Sequence, residues 1–179
     1  VDTYFVSDLG ESSVAAVGIM FSVMALIQAV GYTWGMGAGS EIARLLGKQK
    51  KREAEQTLAT ALAGGILSGA VMAVIFAVFR ENVVRLLGAT DTSLAPAGQY
   101  GIYIMLAAPV MCGAYVLNNA LRAEGQPYLA LLGILAGGLS NALFDYILVR
   151  VLGLGIAGAG IATLAGQGIS LAIMYICVR

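Results

Sequence analysis

Residues 125–149 read GQPYLALLGILAGGLSNALFDYILV, and Asp145 is the only charged residue among them. A transmembrane helix needs about 20 mostly apolar residues to cross about 30 Å of hydrocarbon. This stretch is therefore long enough to cross a bilayer, with one carboxylate inside it. Four more long apolar stretches occur in the chain, and the five predicted membrane spans are 12–43, 54–79, 93–120, 126–149 and 156–178.

The composition of the whole chain is that of a membrane protein. Of the 179 residues, 59% are apolar and 11% are charged, and the mean hydropathy is +0.87. Soluble domains carry about 25% charged residues, so this chain has too few charges to cover a water-facing surface. The formal net charge is zero, which argues against nucleic acid as a partner. We expect an all-α integral membrane protein.

Several catalytic classes are excluded by residue content. The sequence contains no histidine, which removes Ser-His-Asp and Cys-His catalysis and histidine-ligated metal sites. Cys112 and Cys177 lie within apolar runs, where thiols behave as small hydrophobes, so no disulfide is predicted. Residues 153–158 match G-x-G-x-x-G, but no acidic residue follows Asp145 to bind a ribose. We expect neither an enzyme nor a cofactor, and an intramembrane enzyme stays an alternative.

The placement of basic residues predicts how the spans are oriented. If the loops alternate sides, seven Lys and Arg residues fall on one side, five of them within 44–52, and three fall on the other. Loops rich in Lys and Arg face the cytoplasm, so we place residues 44–52 there. Residues 1–6 would be the end of a truncated further helix, because the chain begins at Val1 and shows no signal-peptide pattern.

Asp145 is the most informative polar residue of the spans. An ionisable group inside a span costs about 2.5–3.5 kcal/mol on insertion scales, so such groups usually face a protein interior or a water-filled cavity. Asn141 lies four residues earlier and therefore on the same helix face. Carboxylate and amide oxygens suit Na⁺, and a desolvated carboxylate can also carry a proton. The alternative is an Asp that snorkels to the interface or forms a local salt bridge.

Two further sets of polar residues are candidates for the same site. Thr163 and Gln167 are four residues apart on the last span, and they can serve either as a site or only as contacts between helices. Asp2 would lie at a depth comparable with Asp145 and could share a cation or a proton with it. The alternative for Asp2 is a loop residue at a frayed terminus.

The first span carries features with mainly structural interpretations. Glu41 and Arg44 are one turn apart, which favours an ion pair at the interface. Trp34 and Tyr32 lie well inside the span, where they either line a cavity or pack in the core. Small residues recur four apart in this and other spans, which favours close helix packing; these pairs are Gly31–Gly35, Gly65–Gly69 and Gly133–Gly137.

The chain resembles the multidrug and toxic compound extrusion (MATE) transporters over essentially all of its length. The most specific segments are ALRAEGQP at 120–127 and GLGIAGAGIAT at 153–163, taken together at this separation. The remaining similarity lies at residues 1–3, at 38–47 with the basic stretch 48–54, and at Asn141 with Asp145.

This resemblance implies a twelve-helix transporter made of two six-helix lobes, which exports cationic and amphipathic compounds in exchange for H⁺ or Na⁺. The chain is similar to helices one to six only, so we expect residues 1–179 to form an N-terminal lobe of five full spans plus the end of helix one, with the C-terminal lobe absent. In prokaryotic members the cation site of this lobe uses an Asp on helix one, an Asn and an Asp on helix five and a Thr on helix six. Those roles fall on Asp2, Asn141, Asp145 and Thr163, with Gln167 as a secondary candidate.

We therefore expect an antiporter in the cytoplasmic membrane of a bacterium or archaeon, with no metal beyond a Na⁺ at this site. Its partners would be a cationic or amphipathic solute, membrane lipids and the C-terminal lobe, and a second copy of the fragment could fill the groove left by the missing helix. A lipid-linked precursor flippase of the same superfamily is one alternative, although almost every Lys and Arg lies in a loop or at a helix end. A non-transporting half-transporter subunit is another.

Overall fold

The computed structural model describes residues 11–178, and within them the chain is helical and contains no strand. The helices are α1 (Glu11–Gly47), α2 (Lys51–Leu86), α3 (Asp91–Ala123), α4 (Pro127–Asp145) and α5 (Gly155–Cys177), with a π-helical turn (Tyr146–Val151) directly after α4. Each of the five, with α4 counted together with its π turn, is long and apolar enough to cross a membrane. The predicted all-α membrane fold is confirmed. The predicted end of a further helix at residues 1–6 lies outside the described residues.

Two helices extend well beyond the predicted apolar spans. α1 has 37 residues and continues to Gly47, and the predicted ion pair lies in its last turns, where Arg44 Nε donates to Glu41 Oε2 at 2.9 Å. α2 has 36 residues and continues to Leu86 across a kink at Phe79, whose φ is −109° and ψ is 21°. The predicted spans end where charged residues begin, whereas the backbone hydrogen bonds of a helix can continue into the membrane–water interface.

α3 is the central helix of the lobe, because it packs against α1, α2 and α5, whereas α4 packs mainly against α5. Large apolar side chains on α4 remain exposed, which in a membrane protein places them against lipid. The largest fully buried side chains of α3 are Tyr100, Ile104, Val116, Leu117 and Leu121.

Glycines set the distance between α3 and its neighbours. A Cβ added at Gly31 would lie 2.6 Å from the Tyr115 ring, and one added at Gly35 would lie 2.8 Å from the Tyr115 carbonyl oxygen. At Gly69 the added Cβ would lie 2.7 Å from the carbonyl oxygen of Ala108. Any side chain at these positions would overlap the facing helix. The predicted packing role of these small-residue pairs is confirmed.

The two aromatic residues of α1 have different surroundings. The Tyr32 ring packs on Tyr115 with 4.8 Å between the ring centroids. Trp34 Nε1 donates to Ser68 Oγ at 3.0 Å, and its ring lies over Gly64. Trp34 is nevertheless 38% exposed and lines a groove of about 650 Å³ between α1 and α2. Tyr32 therefore packs between helices, whereas Trp34 lines an open groove.

Candidate cation-binding site

The site is built on a close contact between α4 and α5. A Cβ added at Gly137 would lie 2.9 Å from the Gly166 carbonyl oxygen and 2.7 Å from Ser170 Cβ. A Cβ added at Gly166 would lie 2.8 Å from both the Gly137 carbonyl oxygen and Asn141 Cβ. Helix backbones that approach this closely bring their facing polar side chains into hydrogen-bonding range. The glycine contact therefore holds Asn141 against α5.

Asn141 and Thr163, two of the predicted site residues, are brought together by this contact. Asn141 Nδ2 donates to Thr163 Oγ1 at 3.4 Å, and the Thr163 hydroxyl donates to the Ala159 carbonyl oxygen at 3.1 Å. The Asn141 amide uses an N–H in this bond, so its own carbonyl oxygen is not consumed by it. The pair thus combines a contact between two helices with two neutral oxygens.

Asp145 lies one turn beyond Asn141, at the last residue of α4. Residues four apart share a helix face, and Asn141 identifies that face as the one packed on α5. Asp145 is completely buried, with 0% exposure, which does not fit an Asp that snorkels to the interface. A buried carboxylate has to be neutralised by a partner, a cation or a proton. The structure therefore buries an ionisable carboxylate one helical turn from the hydrogen-bonded pair of Asn141 and Thr163.

Directly after Asp145 the helix changes to a π-helical turn, which the sequence analysis did not predict. The Leu152 N–H donates to the Ile147 carbonyl oxygen at 2.9 Å, which is the five-residue spacing of a π-helix. Turns of this kind are rare and occur frequently at functional sites. The Leu154 N–H donates to the Leu148 carbonyl oxygen at 3.0 Å, so the turn is linked to the start of α5.

Of the other two predicted site residues, only Gln167 can be compared with this group. Asp2 lies outside the described residues. Gln167 is half-buried one turn beyond Thr163, and within residues 11–178 no hydrogen bond joins it to Asn141. Groups of three or more His, Cys, Asp or Glu that could hold a metal ion do not occur in that part of the chain.

Comparison with known proteins agrees with the fold. The MatE family model matches residues 1–147, a range that includes Asn141 and Asp145. The chain belongs to the MatE family. The resemblance to MATE transporters is therefore confirmed, and this MatE chain is an integral membrane protein.

Its curated relatives are multidrug exporters. Multidrug export protein MepA of Staphylococcus aureus (strain MSSA476) is 28% identical over 177 residues, which are 98% of this chain and 39% of MepA. MepA of Staphylococcus saprophyticus is 27% identical over 164 residues, which are 91% of this chain and 36% of that protein. The MatE chain thus spans about 39% of the length of the curated relatives that it matches.

Solved MATE structures match the MatE chain in two conformations. An inward-facing multidrug resistance MATE transporter has a TM-score of 0.94 at 29% identity, over 99% of this chain and 40% of that one. An outward-facing one has a TM-score of 0.89 at 31% identity, over 98% of this chain and 39% of that one. The five helices of this chain therefore fit both arrangements, which agrees with a lobe that keeps its internal packing.

Glu124 is a residue of this MatE chain that sequence analysis quoted only as part of ALRAEGQP. It follows the last residue of α3, and its Oε2 atom is buried without a hydrogen-bond partner among the described residues. Burial raises the pKa of the Glu124 carboxyl. Its side chain lines a cavity of about 800 Å³ between the ends of α1, α2, α3 and α5. No sequence pattern marks this burial, because distant segments of the chain create it.

We expect Glu124→Gln to raise the melting temperature near pH 7 and to have a much smaller effect near pH 4, because the carboxyl is then mostly protonated in both states. Because the pKa of Glu124 is raised in the folded protein, the free energy of unfolding falls as the pH rises through that pKa. The glutamine side chain does not ionise, so the variant avoids this loss. Thermal unfolding of the purified protein in detergent at both pH values measures the effect. Glu55→Gln, an exposed position beside the same cavity, is the control, and an equal gain from Glu124→Gln at both pH values would contradict the explanation.

Proposed function

We propose that this chain forms the N-terminal lobe of a secondary antiporter that exports cationic or amphipathic compounds across the cytoplasmic membrane in exchange for H⁺ or Na⁺. The observation that carries the proposal is the fully buried Asp145 carboxylate, one helical turn from the hydrogen bond between Asn141 and Thr163. Membership of the MatE family and the multidrug-export names of the relatives support export as the direction of transport.

In this proposal Asp145 binds and releases the coupling ion. The charge of one carboxylate is balanced by one proton or by one Na⁺, so it suits either ion. The neutral oxygens of Asn141 and Thr163 are ligands of the kind that Na⁺ accepts, and they also form hydrogen bonds to a protonated carboxyl. Asp2 shares the ion with Asp145, and Gln167 is a secondary contact.

Exchange requires two arrangements of the protein that differ in their affinities for the ion and the solute. The second lobe of the transporter supplies the other wall of the solute cavity, and rocking of one lobe against the other exposes this cavity alternately to the two sides. The similarity of this chain to both an inward-facing and an outward-facing MATE structure supports a lobe that moves as one unit.

The positions of the basic residues favour drug export over flipping of a lipid-linked precursor. A flippase that binds a pyrophosphate needs cationic side chains within its central cavity. In the described part of the chain every Lys and Arg is exposed, either close to a helix end or in a connecting turn: Arg44, Lys48, Lys50, Lys51, Arg52, Arg80, Arg85, Arg122 and Arg150.

Thr163→Val in the full-length transporter tests this assignment. Valine keeps the branched shape but removes the hydroxyl, so the site loses one oxygen and Asn141 loses its acceptor. We expect the driving-ion concentration for half-maximal export to rise about tenfold, as it does when comparable supporting ligands are removed. Export of a cationic dye from proteoliposomes, driven by a Na⁺ gradient at constant pH or by a pH gradient without Na⁺, measures the change for each ion.

Thr163→Ser is the matched control, since it keeps the hydroxyl and is expected to keep the wild-type ion dependence. If Thr163→Val had the same ion dependence as the wild type, Thr163 would not belong to the site. If the wild type exported dye at the same rate with no ion gradient, the antiport mechanism itself would be wrong.

A further inference from the structure

Gly158 is buried at the start of α5 and lies against the backbone of the π turn. A Cβ added at Gly158 would lie 3.0 Å from both the carbonyl carbon and the carbonyl oxygen of Leu148. These are backbone atoms, which cannot move aside as the end of a flexible side chain can. The carbonyl of Leu148 also accepts a hydrogen bond from the Leu154 N–H at 3.0 Å. The position of the Leu148 peptide is therefore fixed from two directions.

The π turn determines how Asp145 is rotated relative to α5. A π turn closes its hydrogen bond one residue later than an α turn does, and one residue corresponds to about 100° of rotation around an α-helix. If the turn reverted to α geometry, α4 and the connection to α5 would be rotated relative to each other by about this angle. Asn141 and Asp145 both lie on α4, before the turn, so they keep their common face, and a change in the turn would move that face relative to α5.

We propose that Gly158 is a positioning residue for Asp145: by leaving room for the Leu148 carbonyl it holds the π turn, and the turn fixes the direction of the carboxylate. Thr163 follows five residues after Gly158 on the same helix, so one rigid element aligns both halves of the site. The consequence for ion affinity rests on the proposed function, whereas the contact between Gly158 and the turn does not.

The test compares Gly158→Ala with Gly168→Ala in the full-length transporter. Gly168 lies on the same helix, and an added Cβ there would meet nothing within 4 Å. For Gly158→Ala we expect about a tenfold rise in the ion concentration for half-maximal dye export and a maximal rate within about twofold of wild type. Na⁺ alone and H⁺ alone are the probes. Gly168→Ala is expected to match the wild type in both quantities.

Amide hydrogen exchange provides a readout that does not depend on transport. We expect the amides of residues 146–154 to exchange several-fold faster in Gly158→Ala than in Gly168→Ala, because the turn has lost its fixed position. A Gly158→Ala protein with unchanged exchange, or with a lower maximal rate but an unchanged ion dependence, would overturn the proposal. If Asp145→Asn does not alter ion coupling, the proposed function fails, while the exchange comparison still tests the contact.

If Gly158→Ala does not accumulate in the membrane, the wild type is compared with Asp145→Asn instead. Asp145→Asn removes the charge before the turn without touching Gly158. We expect the amide hydrogen-exchange rates of residues 146–154 to change several-fold in this variant, while those of residues 165–170 stay the same. Identical exchange in wild type and Asp145→Asn at both segments would overturn the link between the carboxylate and the turn.

Discussion

Asp145→Asn in the full-length transporter is expected to lower ion-coupled export strongly while leaving the amount of protein in the membrane unchanged. Asparagine has nearly the same shape but cannot carry the charge that binds a cation or a proton. Since the side chain is completely buried, water cannot replace the lost interaction. We expect the rate of dye export driven by an ion gradient to fall by about tenfold to a hundredfold. Dye efflux from cells, with membrane abundance measured by immunoblot, checks this.

Glu41→Gln is the matched control for removing one negative charge. Glu41 is paired with Arg44 at 2.9 Å near the end of α1, and exposed pairs of this kind contribute little to stability. We expect this variant to export dye at close to the wild-type rate. Equal export by Asp145→Asn and wild type at equal abundance would show that the buried carboxylate is structural.

Gly69→Ala is expected to cause the largest loss of stability among the small substitutions in the lobe. The added Cβ would lie 2.7 Å from the carbonyl oxygen of Ala108 and from the backbone N and Cα of Pro109. All three atoms belong to the backbone of the central helix, so α2 and α3 have to move apart. Overpacking of this kind costs about 1–3 kcal/mol, and we expect a clearly lower melting temperature in detergent.

Gly37→Ala on α1 is the control for the intrinsic effect of alanine in a helix. An added Cβ at Gly37 meets nothing within 4 Å, so the better helix propensity of alanine is expected to stabilise the protein by up to about 1 kcal/mol. The two variants should therefore shift the melting temperature in opposite directions. A Gly69→Ala protein as stable as Gly37→Ala would show that the close approach of α2 and α3 does not constrain the packing.

The membrane fold could be predicted from sequence because charged side chains are strongly excluded from hydrocarbon. Membrane spans are therefore visible as long apolar stretches. The glycine contacts were predicted as pairs, but their partners, such as Tyr115 for Gly35, depend on tertiary packing. The kink at Phe79 and the π turn after Asp145 could not be predicted. Both are local changes of the backbone that cost little energy, and no pattern of residues in the sequence indicates them.

The candidate site was predictable to a similar extent. Asp145 with Asn141, and Thr163 with Gln167, are marked by their polarity inside apolar runs and by their four-residue spacing. The family resemblance assigns Thr163 to the same site as Asp145. The hydrogen bond between Asn141 and Thr163 depends on the distance that Gly137 and Gly166 set between two helices. The predicted cytoplasmic position of residues 44–52 and the shared role of Asp2 stay predictions.

Release of the coupling ion on addition of substrate tests the central assignment most directly. Because linkage between two ligands is reciprocal, a cationic dye that displaces the ion should release about one H⁺ or Na⁺ per transporter in unbuffered detergent solution. We predict this release, followed with a pH indicator and a Na⁺ electrode, for the wild-type transporter and its absence in Asp145→Asn. Equal ion release from both proteins on dye binding would contradict the assignment of Asp145 as the coupling site.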